Sequence, residues 1–147
     1  MGTFITIHVL DRSEATVLDR VAPGVFDNPI DARWRAEFFA DPRHHLAVAL
    51  LDGVVIGMAS AVHYVHPDKP PELWVNEVGV APPFHNQGIG RRMLQALFER
   101  GRELGCREAW LGTEEKNLAA RRCYAAAGGK EEPKVYVTFD LSADGKV

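Results

Sequence analysis

The sequence has few cysteines and no long apolar run. These two absences argue against a cysteine-based metal or redox site and against a membrane-spanning protein. Its two cysteines, Cys106 and Cys123, are too far apart in sequence to form a metal-binding or redox pair. We expect both to be small apolar residues of a reduced, cytoplasmic protein. No stretch approaches the roughly 18 consecutive apolar residues of a membrane span. The first residues also lack the basic and long apolar segments of a secretion signal.

The charge is also low, which argues against a nucleic-acid or anionic-membrane partner. The net charge is −3, so no strongly basic surface is expected. A chain of 147 residues with 46% hydrophobic content has room for one core. Because no repeat or linker divides the chain, residues 1–147 are expected to form a single domain.

Apolar periodicity predicts a β-α-α-β-β-β-α-β-α-β order of elements. The predicted strands are 3–9, 45–51, 54–65, 72–80, 107–112 and 135–141, and the predicted helices are 12–21, 31–40, 90–104 and 117–127. Asp52-Gly53 is a strong hairpin signal between the second and third strands. Asp31 and Asn117 are plausible helix caps. A hairpin half followed by a β-α-β-α-β half implies an α/β (α+β) fold, with a mixed sheet and helices on both faces.

Residues 76–92 carry the clearest functional signal. An apolar strand enters a proline-broken turn, and the turn enters a helix through Gly88-Ile89-Gly90. This order directs the backbone N–H groups of residues 87–91 and the positive end of the helix dipole at one point, which is typical of a phosphate site. Arg91 and Arg92 follow in the first turn, where they oppose the dipole and indicate an anion. A dinucleotide fingerprint is excluded because Met93 occupies its third glycine position.

Three segments carry a family resemblance. His85-Asn86-Gln87-Gly88-Ile89-Gly90 is similar to the pattern Arg/Gln-x-x-Gly-x-Gly/Ala, and the run 76–82 resembles the strand that precedes it. Asn117, Tyr124 and Gly128 follow in the expected order. Over nearly its whole length the chain resembles the GCN5-related N-acetyltransferase (GNAT) superfamily. It departs from the pattern at His85, which replaces the usual Arg or Gln, and at Gly128-Gly129, which replaces a common Gly-Phe.

The resemblance implies acetyl-CoA as cofactor and a mixed sheet of six or seven strands, splayed between the fourth and fifth. The pantetheine arm would pair with the backbone of Val78 and Val80 as an extra strand does. Gly79 between them is consistent with a β-bulge. The residues that the resemblance places at the cofactor are Val78, Gly79, Val80, His85, Asn86, Gln87, Gly88, Ile89, Gly90, Arg91, Asn117 and Tyr124.

Transfer from a thioester to an amine needs a proton donor for the departing thiolate and a neutral amine. Tyr124 is the candidate donor, and a core-edge tyrosine is the alternative. Glu77 is the candidate base, because burial in an apolar strand would make it a stronger base. Alternatively, Glu77 points to solvent, pairs with an arginine or holds a cationic substrate without taking its proton.

Carboxylates and aromatic residues around the acceptor region suit a cationic amine. The candidate acceptor residues are Asp27, Trp34, His63, Asn76 and Glu77. Short segments are similar to the aminoglycoside 3-N-acetyltransferase branch, and polyamines, other small amines or a protein amino group stay open. His63 and His66 have an H-x-x-H spacing, but strand alternation puts their rings on opposite faces, so no metal is expected. His44-His45 is expected to be surface and strand entry.

Three classes of function follow from these residues. The first is an acetyl-CoA-dependent N-acetyltransferase that acts by direct attack in a ternary complex on a small amine, or alternatively on a protein. The second is a non-catalytic acetyl-CoA-binding or regulatory module, against which Tyr124 and Glu77 argue. The third is a structural partner protein, which would not bind acetyl-CoA. The resemblance also implies a possible homodimer.

Overall fold

The computed structural model describes residues 4–142 and contains one five-stranded sheet in the order β1-β2-β3-β4-β5. Its strands are β1 (Thr6–Val9), β2 (His44–Leu51), β3 (Val54–Tyr64), β4 (Glu72–Val80) and β5 (Ala109–Trp110). Neighbouring strands are antiparallel from β1 to β4, whereas β5 runs parallel to β4. The mixed sheet that the sequence predicts is therefore confirmed.

The helices are α1 (Ala32–Ala40), α2 (Ile89–Glu103) and α3 (Leu118–Ala126), with 3₁₀ helices at Arg12–Asp19 and Pro82–Phe84. Local capping explains where they begin. The Asp31 carboxylate accepts the Trp34 N–H at 2.9 Å, and the Asn117 side chain accepts the Ala120 N–H at 3.1 Å. Both predicted caps are confirmed. The first predicted helix is a 3₁₀ helix instead, and Asp11 caps it.

The sheet is covered on both faces. On one face, α2 contributes Met93, Leu94 and Leu97 to a core that also contains Ala47 and Val75. On the other face, the first 3₁₀ helix and α1 cover a second core. That second core contains Leu18, Leu46, Val48, Val55 and Met58. Because both faces are apolar, the middle strands are almost continuously buried, as in sheets with helices on either side.

Two predicted strands differ from the structure, and the strand count of six or seven is wrong. The strand predicted at 107–112 pairs with β4 only at Ala109 and Trp110. The strand predicted at 135–141 is absent from the sheet of the described residues. Val135, Val137 and Leu141 are instead 65–95% exposed. Alternation indicates that a segment can form a strand, but it does not identify the strand that would pair with it, and no strand of the described chain pairs with this segment.

Among residues 4–142, no helix combines the length and apolar character that crossing a bilayer requires.

Candidate active site

A gap opens between β4 and β5. The two strands are joined at Leu73–Ala109 and Trp74–Trp110, and no pairing between them follows further along β4 in the described chain. The edge of β4 from Val75 to Val80 therefore faces an opening. The splay that the resemblance implies between the fourth and fifth strands is confirmed.

The register of β3 and β4 determines which backbone groups face this gap. The Ala81 N–H donates to the Ile56 carbonyl at 2.8 Å, so this pair is hydrogen-bonded across the two strands. Because antiparallel pairs alternate, the backbone groups of Gly79 bond to β3, whereas those of Val78 and Val80 point into the gap. The Val80 carbonyl oxygen lies 2.7 Å from His85 Nε2, which confirms its outward direction.

The loop before α2 has the backbone geometry of an anion site. Asn86 and Gly88 have φ values of 61° and 74°, in the left-handed region, and Gly88 is the N-cap of α2. Within residues 4–142, the structure gives the N–H groups of residues 87–91 no acceptor. A Cβ built on Gly88 meets nothing within 4 Å, so the space above it is open. These amides can therefore hold an anion.

The two arginines of the first turn of α2 have different roles. The Arg92 guanidinium donates to the Ile5 carbonyl at 3.1 Å, which attaches α2 to the chain segment before β1. Arg91 is also exposed, and its guanidinium forms no ion pair or side-chain hydrogen bond within the described residues. Arg91 is consequently the cation of this turn that can approach a bound anion.

Gly90 brings three elements together at the gap. A Cβ built on Gly90 would lie 3.1 Å from Cys123 Sγ on α3 and 3.7 Å from Val78 Cγ1 on β4. Tyr124 follows Cys123 and is half-buried against the α2 core. Burial, with a smaller contribution from Cys123, raises the pKa of Tyr124, so its phenol stays protonated. Burial also raises the pKa of the Cys123 thiol, which disfavours a thiolate nucleophile.

A β-bulge lies at Asn76 rather than at the predicted Gly79. Ser60 pairs with Glu77 and Ala61 pairs with Val75, so Asn76 is the extra residue of β4. Gly79 has a different reason to be glycine. The backbone carbonyl of Val25 crosses directly over it, where a Cβ would clash. The loop after the first 3₁₀ helix therefore lies on this part of β4.

Glu77 is exposed, so the burial that we expected for it is wrong. Its pairing partner Ser60 lies between Ala59 and Ala61, which both point into the α2 core. Glu77 therefore lies on the opposite face of the sheet, the face that the loop around Val25 covers. Because Glu77 is in contact with solvent, burial does not make it a stronger base. It is instead an exposed carboxylate that can bind a cation.

The structure places the other predicted acceptor residues in different surroundings. Asp27 lines a cleft of about 410 Å³ between the first 3₁₀ helix and the loop that crosses Gly79. Trp34 is 69% exposed on α1. Asn76 is exposed at the bulge, and its side-chain oxygen accepts the Trp74 indole N–H at 3.3 Å.

His63 is separated from Glu77, because it lies on the α2 face of the sheet. Its ring stacks on that of His45, with His45 Nε2 and His63 Nδ1 2.8 Å apart. His45 is only 7% exposed, so its predicted surface position is wrong. The alternation of His45 with Ala47 and Ala49 along β2 is the sequence signal that indicates its burial.

The H-x-x-H histidines also bind different partners. His66 Nε2 lies 3.2 Å from the Glu72 carboxylate, whereas His63 contacts His45. Within the described part of the chain, no three histidine, cysteine, aspartate or glutamate side chains come together in a way that would hold a metal ion.

Sequence comparison assigns the family. Residues 13–128 match the Acetyltransferase (GNAT) family. The chain belongs to this family. It is 32% identical over 97 residues to an aminoglycoside N(6′)-acetyltransferase type 1 of Salmonella typhimurium, which covers 62% of this chain and 67% of that protein. The chain is an acyltransferase, as the GNAT relatives indicate.

Solved structures share the fold. An aminoglycoside acetyltransferase from an uncultured soil metagenomic sample, in complex with sisomicin, aligns with a TM-score of 0.83 at 18% identity, covering 95% of this chain and 97% of that one. Aminoglycoside N-acetyltransferase AAC(6′)-Iy in complex with CoA aligns with a TM-score of 0.76 at 23% identity, covering 97% and 98%. The named aminoglycoside relatives carry the 6′ designation rather than the 3-N designation of the branch that we expected.

Proposed function

We propose that this GNAT protein is an acetyl-CoA-dependent N-acetyltransferase whose acceptor is a primary amine of a small, cationic molecule. The observation that carries the proposal is the set of backbone N–H groups at residues 87–91, which have no acceptor within residues 4–142 and lie beside an open strand edge. A loop that only joined β4 to α2 would not require both features together.

The residues at the gap fit the chemistry of CoA. The amides of residues 87–91 and the Arg91 side chain would hold its diphosphate at the N-terminus of α2. The outward backbone groups of Val78 and Val80 would pair with the amides of its pantetheine arm. When bound, acetyl-CoA supplies an activated acetyl group on sulfur. Asn117 already caps α3, and its side-chain NH₂ group is the part available for CoA.

We assign the proton donor to Tyr124, which lies on α3 next to the residue that contacts Gly90. As the amine nitrogen bonds to the acetyl carbon and the carbon–sulfur bond breaks, the phenol would give its proton to the sulfur, and the proton that the amine nitrogen loses would return through solvent to the phenolate. A protonated, half-buried phenol suits this role, because its raised pKa keeps the proton in place until negative charge develops.

We assign the acceptor side to the opposite face of the gap, where Glu77 lies. Its exposure favours the binding of an ammonium group over the role of a strong base. The cleft that Asp27 lines offers a second carboxylate in the loop that crosses Gly79. Two carboxylates suit a polycationic amine, and the aminoglycoside acetyltransferases among the relatives support the same substrate class. Trp34 and Asn76 stay candidates for acceptor contacts.

The first test is a thiol-release assay with acetyl-CoA and a panel of aminoglycosides, polyamines and monoamines. We expect the wild type to release thiol when polycationic amines are present. Tyr124→Phe should lower kcat by about 100-fold or more. CoA affinity, measured by calorimetry, should stay unchanged. Tyr64→Phe is the matched control, because Tyr64 stacks on Trp110 at the end of β3 and should leave kcat unaffected. CoA binding without release for any amine would favour the non-catalytic module.

The second test separates the two roles of Glu77. Glu77→Gln should raise KM for the amine and leave kcat nearly unchanged if the carboxylate only binds the ammonium. A fall in kcat that deepens at low pH would instead make Glu77 the base. Glu72→Gln on the same strand is the control, because Glu72 pairs with His66 away from the gap.

A further inference from the structure

Two tryptophans lie at the closed end of the gap between β4 and β5. Trp74 and Trp110 form the last pair that joins these strands before the gap opens. Their rings meet edge to face, with centroids 4.3 Å apart and an angle of 67° between the planes. Tyr64, whose partner Glu72 lies further from the gap, stacks on Trp110 with centroids 6.5 Å apart. These contacts still leave 47% of Trp110 exposed.

Both indoles lie on the face of the sheet that α2 does not cover. Trp74 stands between Leu73 and Val75 in β4, and both of those side chains belong to the α2 core. Since side chains alternate along a strand, Trp74 points to the other face. Its cross-strand partner Trp110 points to the same face. The aromatic surface is therefore on the side of the sheet where Glu77 lies.

The bulge at Asn76 brings Glu77 next to this aromatic surface. Trp74 and Glu77 are separated by an odd number of positions, so strict alternation would place their side chains on opposite faces. The extra residue at Asn76 shifts the alternation by one, and the two side chains become neighbours on one face. Their partners on β3, Val62 and Ser60, are two residues apart, which spans roughly 7 Å of strand.

The same bulge holds the first indole in place. The Trp74 N–H donates to the side-chain oxygen of Asn76 at 3.3 Å. This bond satisfies the only donor of the ring, so what the ring offers to a ligand is apolar surface and π electrons. An aromatic surface beside a fixed carboxylate has the composition of a small-molecule site. The pair Trp74 and Trp110 would supply the surface, and Glu77 would supply the charge.

We propose that Trp74 and Trp110, together with Glu77, bind the ring of a ring-bearing polycationic amine and select it over a linear polyamine. This inference rests on the proposed function and adds the shape of the acceptor to it. A saturated ring that carries amino groups places its C–H face on an indole, while the ammonium groups at its rim are attracted by the π electrons and the carboxylate. A rigid ring also loses less conformational freedom on binding than a linear chain does.

The test compares two acceptors with the same number of amino groups, neamine on saturated rings and spermine on a linear chain. In the thiol-release assay, the wild type should have a kcat/KM for neamine about 10-fold or more above that for spermine. Trp110→Leu should remove most of this preference by raising KM for neamine, with KM for spermine nearly unchanged. Trp110→Phe keeps an aromatic face and should retain most of the preference.

The matched control lies at the other edge of the sheet. Phe4 is 82% exposed just before β1, the strand furthest from β5. Phe4→Leu replaces an exposed aromatic ring by the same side chain as Trp110→Leu does, and it should leave both KM values unchanged. A thermal melt of each variant checks that it folds.

A merely structural role for the tryptophans would change the melting temperature and both KM values alike, and that result would overturn the inference. Equal use of neamine and spermine by the wild type would overturn it too. If no amine gives thiol release, the proposed function fails, and calorimetry with neamine in the presence of CoA decides the inference instead. Weaker binding of neamine to Trp110→Leu than to the wild type would then support the inference, whereas equal or absent binding would overturn it.

Discussion

The imidazole Nε2 of His85 lies 2.7 Å from the carbonyl oxygen of Val80 and ties the loop before α2 to the strand edge at the gap. A carbonyl oxygen only accepts, so the imidazole must donate from Nε2. One of the four outward groups of Val78 and Val80 is thus already bonded within the chain. Where the family pattern has arginine or glutamine, His85 therefore links the loop before α2 to the edge of β4, the two parts of the proposed cofactor site.

This link predicts the effect of substitutions at His85. His85→Phe keeps a ring but removes the donor, and we expect the Kd for CoA to rise about 2- to 10-fold, the effect of one net hydrogen bond. His85→Gln restores a donor and should bind CoA nearly as the wild type does. Isothermal titration calorimetry measures both variants. Equal affinity for His85→Phe and the wild type would show that the link does not organise the site.

The close contact at Gly90 predicts a compensating pair of substitutions. In Gly90→Ala the new Cβ would lie 3.1 Å from Cys123 Sγ, so α3 or the start of α2 must shift. We expect weaker CoA binding by about 10-fold, in line with overpacking costs of about 1–3 kcal/mol. Cys123→Ala removes the sulfur and should restore affinity in the double variant, which a double-mutant cycle quantifies.

The matched control for Gly90→Ala lies on the same helix. A Cβ built on Gly101 would lie 3.2 Å from a side-chain atom of Leu73, near the other end of α2. Gly101→Ala should therefore lower the free energy of unfolding without changing CoA affinity. If Gly101→Ala weakens CoA binding as much as Gly90→Ala does, the effect is a general loss of packing and the contact at Gly90 is not specific to the site.

Features that depend on neighbours in sequence could be predicted from the sequence. Asp52 and Gly53 have the positive φ values, 50° and 77°, that a two-residue hairpin turn requires, and their residue types indicate this directly. Asn117 caps α3 through its own side chain. Gly88 before α2 and Gly90 in its first turn likewise predict the open amides, because the backbone conformation at such a turn follows from residues that adjoin it.

Features that depend on distant partners could not be predicted in the same way. The bulge at Asn76 exists only relative to the register of β3, and it lies where Glu77 meets Ser60. The apolar alternation of Val135–Leu141 predicts a strand, but the described chain forms none there, because the pattern does not say which strand would pair with it. For His45, the polar side chain suggests a surface position, whereas the alternation along β2 indicates burial. The contact that satisfies the buried ring comes from His63 on another strand, β3.

The buried pair of His45 and His63 predicts a pH dependence of stability. Burial, and then the neighbouring His63 and Arg100, lower the pKa of His45 to about 4 from an ordinary value of 6.5. Burial, with Arg43, also lowers the pKa of His63. Between pH 4 and 6.5 the unfolded chain therefore binds more protons at these sites than the folded chain does. The contribution of these neutral imidazoles to the free energy of unfolding is fully present above about pH 6.5, and it is lost as the pH is lowered towards 4.

The size of this effect follows from the difference between the pKa of His45 in the folded chain and in the unfolded chain. It corresponds to a loss of about 3 kcal/mol in the free energy of unfolding at pH 4. Urea denaturation at a series of pH values measures it. His45→Leu should flatten the curve between pH 4 and 6.5, because leucine fills a buried position without binding a proton. Leu46→Ala is the control, since Leu46 is the buried neighbour of His45 without a titratable group, and it should keep the wild-type slope while lowering stability at every pH. A slope that is the same in His45→Leu and the wild type would place the acid sensitivity elsewhere in the molecule.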